Sequence, residues 1–338
     1  MQQELKKILI STYKPTKGRG GFTYATTLKE ALSQHFQVDS LNLSPENKLP
    51  LYFKIPKILT NLWESSSVKS YDIVIRDLDS CLLLNKKPTK TIAIIHHIDY
   101  SFASLLVKFV FFFLTPLILR NLREVDAIVV VSKYWQRYFE KRGYRNVHLI
   151  YNGFEPSFYN LDLDEIEQFK KNYGLLGKPI VYLGDCQKAK GVTKSYEALK
   201  GIDVYLVTSG KQGVKIPAKN LELGYEDYLK LLSASFLVVT MSQFPEGWCR
   251  TTHEAMLLKK PVVGSGRGGM RELLEGGHQI ICDDFNSLKE KVKYLLDHPQ
   301  EQKRVGEAGF NFAKNFTAEK FKNDWLKLLF RVCGNKIE

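Results

Sequence analysis

The sequence predicts an α/β protein made of two doubly wound domains, each built on a parallel sheet. Short apolar strands alternate with helical patterns through both halves of the chain. A length of 338 residues is too great for one typical core and suits two domains. We predict a first domain over residues 1–152, a linker over 153–178, a second domain over 179–318, and a final helix over 319–338.

The first half begins with an apolar strand at 7–12, followed by a Gly-rich loop that ends in Gly20 and Gly21. A Gly-rich loop after a first strand is weak evidence by itself, because many α/β folds carry one. His96 and His97 directly follow the strand predicted at 91–95, and as a continuation of that strand their side chains would point to opposite faces. We expect one of the two to reach a cleft, and which one is left open. The other strands of this half are predicted near 38–43, 72–75, 127–131 and 148–150.

The second half carries the most informative stretch, Pro-Glu-Gly-Trp-Cys-Arg-Thr-Thr-His-Glu-Ala-Met at 245–256. A buried strand at 236–241 precedes it, and a helix from 251 follows, so a Gly-containing loop opens a helix. Such a turn points backbone N–H groups at an anion. Two carboxylates, Glu246 and Glu254, flank it and can accept hydrogen bonds from hydroxyl groups. The other strands here are predicted at 180–183, 204–208, 262–264 and 280–282.

The run 225–277 resembles the nucleotide-sugar half of the family 4 retaining glycosyltransferases. It has their Glu, seven residues, Glu, then Ala-Met and a Lys-Pro-Val strand, and a second Gly-rich loop at 266–269 follows. The resemblance implies the GT-B fold, in which two Rossmann-like domains face each other across a cleft. It further implies that the first domain binds the acceptor, that the second binds the nucleotide-sugar donor, and that the final helix crosses back to the first domain.

The resemblance also assigns residues. Lys190 and Arg250, with the backbone amides of Gly247, Trp248 and Cys249, would stabilise the charge that develops on the departing diphosphate. Glu246 would bind the donor sugar and Glu254 the nucleotide ribose. The implied catalytic residues are Lys190, Glu246, His96 and His97. The implied donor-binding residues are Gly20, Gly21, Gly184, Ser209, Gly247, Trp248, Cys249, Arg250 and Glu254.

The implied reaction retains the anomeric configuration and needs no essential metal or other cofactor. The donor phosphate would deprotonate the acceptor hydroxyl, so no dedicated protein base is needed. The expected donor is a UDP- or GDP-sugar, and the expected acceptor is lipid-linked or a glycan. Asp77-Leu78-Asp79 matches the metal-binding motif of another glycosyltransferase fold, but it lies in the wrong half, so we interpret it as a chance match. Thr208–Lys211 is interpreted either as a phosphate or sugar contact or as an ordinary polar turn.

One position departs from the family pattern. An Arg usually follows the strand that ends in Gly, whereas here Asp185 follows Gly184. A carboxylate beside a diphosphate is unfavourable if it is desolvated and unpaired. Three explanations are open: Lys188 or Arg250 supplies the missing charge, Asp185 turns away, or the donor carries less negative charge. We favour the first.

A charge-free apolar run at 109–119, between Lys108 and Arg120, predicts contact with a membrane. It is too short to span a bilayer, so it suits a helix in the interface or a buried core helix. The formal charge of +13 favours the interface, through anionic head groups drawn to 103–122 and nearby basic residues. No nucleic-acid-binding motif accompanies the charge. We expect a cytoplasmic, peripheral membrane protein, since the N-terminus lacks a signal-peptide pattern.

Two other functions stay open. A nucleotide-sugar epimerase on the same plan would need further acid–base carboxylates and no acceptor. A non-catalytic subunit that binds a nucleotide sugar or a lipid is favoured by Asp185 alone. The five cysteines show neither a metal-binding spacing nor an even count that would suggest disulfides. Cys249, beside the anion loop, is interpreted as a packing residue, with a low-pKa thiol as the alternative.

Overall fold

The computed structural model describes residues 6–12, 20–43, 57, 60–64, 66, 70–84, 89–102 and 105–334. The chain divides into two compact units. The first consists of 1–153 together with 318–338, and the second of 154–317. Each unit is a parallel sheet with helices packed on it, as the sequence predicts.

The strands of the first unit run in the order β2–β1–β3–β4–β5–β6, and every pair is parallel. Its strands are β1 (Lys7–Thr12), β2 (Gln37–Asn42), β3 (Ile73–Asp77), β4 (Lys90–Ile95), β5 (Ala127–Val130) and β6 (Val147–Leu149). The central strands are buried over nearly their whole length, because helices cover a parallel sheet on both faces.

The strands of the second unit run in the order β12–β11–β10–β7–β8–β9, again all parallel. They are β7 (Ile180–Asp185), β8 (Tyr205–Ser209), β9 (Lys219–Leu221), β10 (Leu237–Thr240), β11 (Val262–Gly264) and β12 (Ile280–Ile281). Sequence reasoning missed β9, because Lys-Asn-Leu has no apolar run and becomes a strand only by pairing with β8.

The helices whose bounds the structure describes lie between these strands, except for the last three, which follow β12. They are α1 (Gly20–Leu32), α2 (Leu105–Asn121), α3 (Lys133–Glu140), α4 (Leu163–Asn172), α5 (Val192–Leu199), α6 (Tyr225–Ala234), α7 (Arg250–Leu257), α8 (Met270–Gly276), α9 (Leu288–Asp297), α10 (Pro299–Ala313) and α11 (Ala318–Val332).

The final helix, α11, lies in the first unit and packs against α1. Buried Trp325 donates a hydrogen bond from Nε1 to the hydroxyl of Tyr24, at 3.1 Å. The segment 153–178, which the sequence suggested as a linker, lies in the second unit from Phe154 onward. Its helix α4 packs against α6 there.

Helix α2 is not a core helix, so one of the two sequence interpretations of this run is wrong. Among its described residues only Ile118 is buried. Phe109, Phe112 and Phe113 are 64%, 74% and 56% exposed. Pro116 lies inside the helix. In the described part of the chain, no helix is both long enough and apolar enough to cross a membrane.

Candidate functional site

The strand order of the second sheet reverses between β7 and β10. From β7 the chain continues to β8 on one side, while β10 pairs on the other side. Open α/β sheets bind ligands at the carboxyl ends of the strands flanking such a point. The segments that follow β7 and β10 carry Lys190 and Glu246, which are 56 positions apart in sequence. The fold therefore brings together two residues that the sequence selected separately.

Lys190 and Glu246 form an ion pair. The Lys190 Nζ atom donates to Glu246 Oε1 at 2.7 Å, and Ser242 Oγ donates to the same oxygen at 2.5 Å. Burial alone would lower the pKa of Lys190, but nearby groups, with the Glu246 carboxylate first among them, together raise that pKa. The ammonium also lies 5.1 Å from the centroid of the Phe244 ring. Lys190 is therefore charged at neutral pH, and a carboxylate holds it in place.

The second Gly-rich loop fixes the backbone of Glu246. The N–H of Gly269 donates to the Glu246 carbonyl at 2.8 Å, and the Glu246 N–H donates to the Arg267 carbonyl at 3.2 Å. Gly268 has a φ of +66°, and a Cβ atom there would lie only 2.5 Å from the Glu246 carbonyl oxygen. Only glycine fits this position, so the loop at 266–269 serves to hold Glu246.

Glu254 accepts hydrogen bonds on both of its carboxylate oxygens. It is 3% exposed and lies within α7. Its Oε1 accepts from Arg250 Nη2 and from the Tyr225 hydroxyl, each at 3.1 Å. Its Oε2 accepts from the Tyr228 hydroxyl at 3.0 Å. A carboxylate accepts about four hydrogen bonds, so about one position is left for a ligand unless a present partner moves.

Arg250 lies against an aromatic ring and next to a tyrosine network. Its guanidinium carbon lies 4.4 Å from the centroid of the Phe154 ring. Burial alone would lower the pKa of Arg250, but Glu254, together with Tyr159 and Tyr225, raises that pKa. The Tyr159 hydroxyl extends the network to the Tyr225 hydroxyl at 3.2 Å. Sequence reasoning missed the three tyrosines, since nothing in their local pattern separates them from ordinary packing residues.

Helix α7 begins directly after the predicted anion loop. Gly247, Trp248 and Cys249 are all buried, and the first N–H groups of an α-helix have no partner within the helix. Cys249 has a φ of +61°, which is unusual for a residue other than glycine and re-aims the chain at the helix start. Burial, and the Glu246 carboxylate nearby, raise the pKa of the Cys249 thiol to about 11. The low-pKa alternative for this cysteine is therefore wrong.

His253 links the loop before α7 to the end of α10 through two hydrogen bonds. It was not selected from the sequence. It is fully buried, and its Nδ1 accepts from Trp248 Nε1 at 3.1 Å. Nε2 therefore carries the proton and donates to the Ala313 carbonyl at 3.1 Å. The ring stacks on Phe154 with a centroid distance of 3.8 Å. Burial, with nearby Arg250, lowers the pKa of His253 to about 3, so this histidine is a neutral structural clamp.

Asp185 ends β7 close to this cluster, and its charge contributes to the raised pKa of Lys190. Gln187 Nε2 donates to Asp185 Oδ2 at 2.5 Å. Asp185 Oδ1 lies so near Gly210 that a Cβ atom at that glycine would be 2.2 Å from it. The carboxylate is therefore directed toward Gln187 and Gly210. Lys188, the other candidate for a compensating charge, is exposed.

Two other predicted donor-binding residues lie near the same strand ends. Gly184 has a φ of +94° within β7. Ser209 is buried at the end of β8, and its Oγ shares a 2.6 Å hydrogen bond with the Tyr182 hydroxyl. The Thr208 hydroxyl donates to Asn220 Oδ1 at 2.9 Å. These bonds give the turn a structural role of its own.

The remaining predicted residues belong to the first unit. Gly20 and Gly21 begin α1, whereas Lys17–Arg19 of the same loop lie outside the described residues. Strand β4 ends at Ile95, so His96 and His97 follow the strand and the expected alternation does not apply to them. His96 is half-buried, with its ring 5.0 Å from that of Tyr24, and His97 is exposed.

Asp79 belongs to the Asp77-Leu78-Asp79 motif and accepts a hydrogen bond within the first unit. Its Oδ1 accepts from the Tyr100 hydroxyl at 2.7 Å, and burial raises the pKa of this carboxyl. Asp77 is the last residue of β3. This arrangement gives Asp79 a structural role.

Comparisons with known proteins agree with the fold. Residues 165–312 match the family model for glycosyl transferases group 1, and residues 19–158 match the model for glycosyltransferase family 4. The structure of HepE from Anabaena, in complex with UDP and glucose, superimposes with a TM-score of 0.76 and 17% sequence identity. That match covers 96% of this chain and 99% of HepE.

Two sequence relatives are also similar to this chain. An uncharacterized glycosyltransferase of Methanocaldococcus jannaschii is 30% identical over an alignment of 212 positions that covers 58% of this chain and 56% of the relative. An α-1,4-N-acetyl-D-galactosaminyltransferase of Campylobacter jejuni, named for a saccharide-PP-undecaprenol, is 23% identical over 65% of this chain and 66% of its own length. With both family models matched in sequence along a GT-B fold, the chain belongs to the group 1, family 4 glycosyltransferases.

Proposed function

We propose that this protein transfers a sugar, with retention of configuration and without an essential metal, from a nucleotide-diphosphate donor to a lipid-linked or polysaccharide acceptor. The observation that carries the proposal is the pair of cations, Lys190 and Arg250, each bonded to a glutamate of the family motif. The UDP complex of Anabaena HepE supports a nucleotide-sugar donor. The acceptor named for the Campylobacter jejuni relative supports a lipid-linked acceptor here.

The cations and the carboxylates of the site bind different parts of the donor. Lys190 and Arg250 bind the donor diphosphate and stabilise the negative charge that grows on it as the sugar leaves. Glu246 and Glu254 accept hydrogen bonds from the hydroxyls of the donor sugar and the ribose. In a retaining transfer the departing phosphate takes the acceptor's proton, which removes the need for a protein base.

The first experiment is thermal unfolding with UDP, GDP, ADP, CMP and their common sugars. A ligand at a hundred times its Kd adds about 2.7 kcal/mol to the free energy of unfolding, which is easily seen. We expect one diphosphate to raise the Tm selectively. If none does, the proposed donor class is wrong.

The second experiment uses that donor and measures transfer and donor hydrolysis, with and without EDTA. Lys190→Ala should lower turnover at least tenfold, or about 1.4 kcal/mol. Lys200→Ala is the matched control, because its ion pair with Glu197 is exposed. Near-normal turnover of Lys190→Ala would contradict the assigned role. Tight nucleotide binding with neither transfer nor hydrolysis would favour the non-catalytic subunit, and acceptor-independent conversion of the donor sugar would favour an epimerase.

The proposal includes a membrane surface for the acceptor, because α2 exposes a large apolar face. Exposed basic side chains are frequent in the sequence on and near this helix, and an apolar face with basic residues nearby suits an anionic interface. The exposed cations on and near α2 and α3 are Lys108, Arg120, Arg123, Lys133, Arg137, Lys141, Arg142 and Arg145. Packing joins the two helices, since Phe111, Leu114 and Leu119 contact the core cluster that contains Trp135 and Phe139.

Co-sedimentation with vesicles tests this surface. Binding to vesicles with phosphatidylglycerol should exceed binding to neutral phosphatidylcholine vesicles and should fall with added salt. Phe112→Ser should weaken vesicle binding. Phe158→Ser, which removes an exposed phenylalanine of the second unit, is the control for non-specific hydrophobic binding. Equal binding to both vesicle types would rule out the electrostatic contribution.

A further inference from the structure

The two cations that the proposed function assigns to the diphosphate are each bonded to a carboxylate. Lys190 is held by Glu246 at 2.7 Å and Arg250 by Glu254 at 3.1 Å. The formal charges of these four groups cancel. Asp185 acts on Lys190 as a further negative charge. The cluster therefore offers a diphosphate no net positive charge while both pairs are intact, and like charges at short range in a buried site repel strongly.

Both carboxylates also have neutral hydrogen-bond donors. Ser242 donates to Glu246. Tyr225 and Tyr228 donate to Glu254, one to each of its oxygens. A buried charge is costly when all its partners are removed. Here each glutamate would keep at least one donor if its cation moved to a different anion.

We propose that donor binding is a charge exchange, in which the diphosphate takes Lys190 and Arg250 away from Glu246 and Glu254. The lone pairs that this frees on the two glutamates accept the hydroxyls of the donor sugar and the ribose. Ser242, Tyr225 and Tyr228 keep the carboxylates in position during the exchange. The inference rests on the proposed function and adds that each glutamate competes with the diphosphate for a cation.

The exchange has a consequence for product release. While the donor is intact, sugar hydroxyls compensate Glu246 for the loss of Lys190. After transfer the sugar has left on the acceptor, and Glu246 competes again for Lys190. The nucleoside diphosphate is therefore held less tightly than its phosphate contacts alone would give.

The test compares calorimetric Kd values of the wild type, Glu246→Gln and the control Glu275→Gln, whose bond to Arg271 is exposed. The probes are UDP, or whichever of UDP, GDP and ADP binds the wild type, and the matching uncharged nucleoside. Glu246→Gln should bind the diphosphate about tenfold more tightly, or about 1.4 kcal/mol, and the nucleoside unchanged. The same variant should transfer sugar more slowly, and Glu275→Gln should change neither.

The opposite result would overturn the exchange. If Glu246→Gln keeps the wild-type Tm but binds the diphosphate equally or less tightly, then Glu246 positions Lys190 and does not compete for it. If Glu246→Gln does not fold, Glu254→Gln with inorganic pyrophosphate as the probe tests the Arg250 pair, and it too should bind more tightly. If the wild type binds no nucleoside diphosphate at all, the proposed function fails, and this inference fails with it.

Discussion

Helices α7 and α2 are opposite exceptions to the rule that polar side chains are exposed and apolar side chains are buried. Helix α7 buries a charged and a titratable side chain, Glu254 at 3% exposure and His253 at 0%. Helix α2 exposes Phe112 at 74% and buries only Ile118 among its described residues. Buried charges and exposed apolar faces both cost free energy, and each therefore points to a use.

The difference lies in where the compensation is found. Each polar group of α7 is bonded within its own unit, Glu254 by Arg250 and two tyrosines and His253 by Trp248 and Ala313. The apolar face of α2 is exposed, and burying it would become favourable only if another surface covered it. Helix α7 thus has its polar groups satisfied within its own unit, whereas the apolar face of α2 has no comparable cover among the described residues of its unit.

The largest expected effect comes from breaking the α7 network. Arg250→Ala leaves the buried Glu254 charge with its two tyrosine donors but without its cation, and no ligand hydroxyl takes the place of that cation, so the free energy of unfolding should fall by about 3 kcal/mol. Urea denaturation measures this change. Arg304→Ala is the control, since its ion pair with Glu301 is solvent-exposed and contributes only about 0–1 kcal/mol. Equal effects of the two substitutions would show that α7 is not a tightly coupled network.

Acid should weaken the α7 region through His253. Its folded pKa of about 3 lies below the unfolded value of about 6.5, so the unfolded state takes up the proton first. This contribution is fully present above about pH 6.5 and falls by about 1.4 kcal/mol per pH unit below it, or about 2 kcal/mol between pH 7 and pH 5. His253→Gln should lose most of that pH dependence, whereas exposed His298→Gln should keep it. A wild type equally stable at both values would be inconsistent with a buried neutral imidazole.

Substitutions on the exposed face of α2 should affect stability much less than substitutions in α7. Phe112→Ser should change the free energy of unfolding by less than about 0.5 kcal/mol, because the ring has little packing to lose. Ile118→Ala, on the buried side of the same helix, should clearly destabilise the protein. If Phe112→Ser also destabilises, this ring is a structural residue and not part of a free apolar surface.

The smallest effect concerns thiol reactivity near α7. Cys249 is buried with a pKa of about 11, so almost none of it is thiolate near neutral pH. Brief treatment of the native protein with iodoacetamide should label Cys333, which is partly exposed, and spare Cys249. Peptide mass spectrometry identifies the modified residue. Rapid labelling of Cys249 would mean that the loop before α7 opens readily.

Much of the fold followed from local patterns. The apolar strands of both sheets were predicted to within about two residues, because strands buried in parallel sheets are continuous apolar runs. Strand β9 could not be predicted from Lys219–Leu221, because its pairing comes from a neighbour distant in sequence. The end of β4 at Ile95 agrees with the predicted strand, so the error for His96 and His97 was to extend the strand alternation to residues that follow it.

For the candidate site, the sequence by itself determined the motif, its two glutamates and the cations at Lys190 and Arg250, because residue type and spacing are local properties. The tertiary structure alone decided which groups touch. It placed Lys190 on Glu246 across 56 positions, brought Tyr225 and Tyr228 to Glu254, and buried His253 as a clamp. The physical reason is that a hydrogen bond and a desolvation cost depend on distance in space, and long-range chain packing sets that distance.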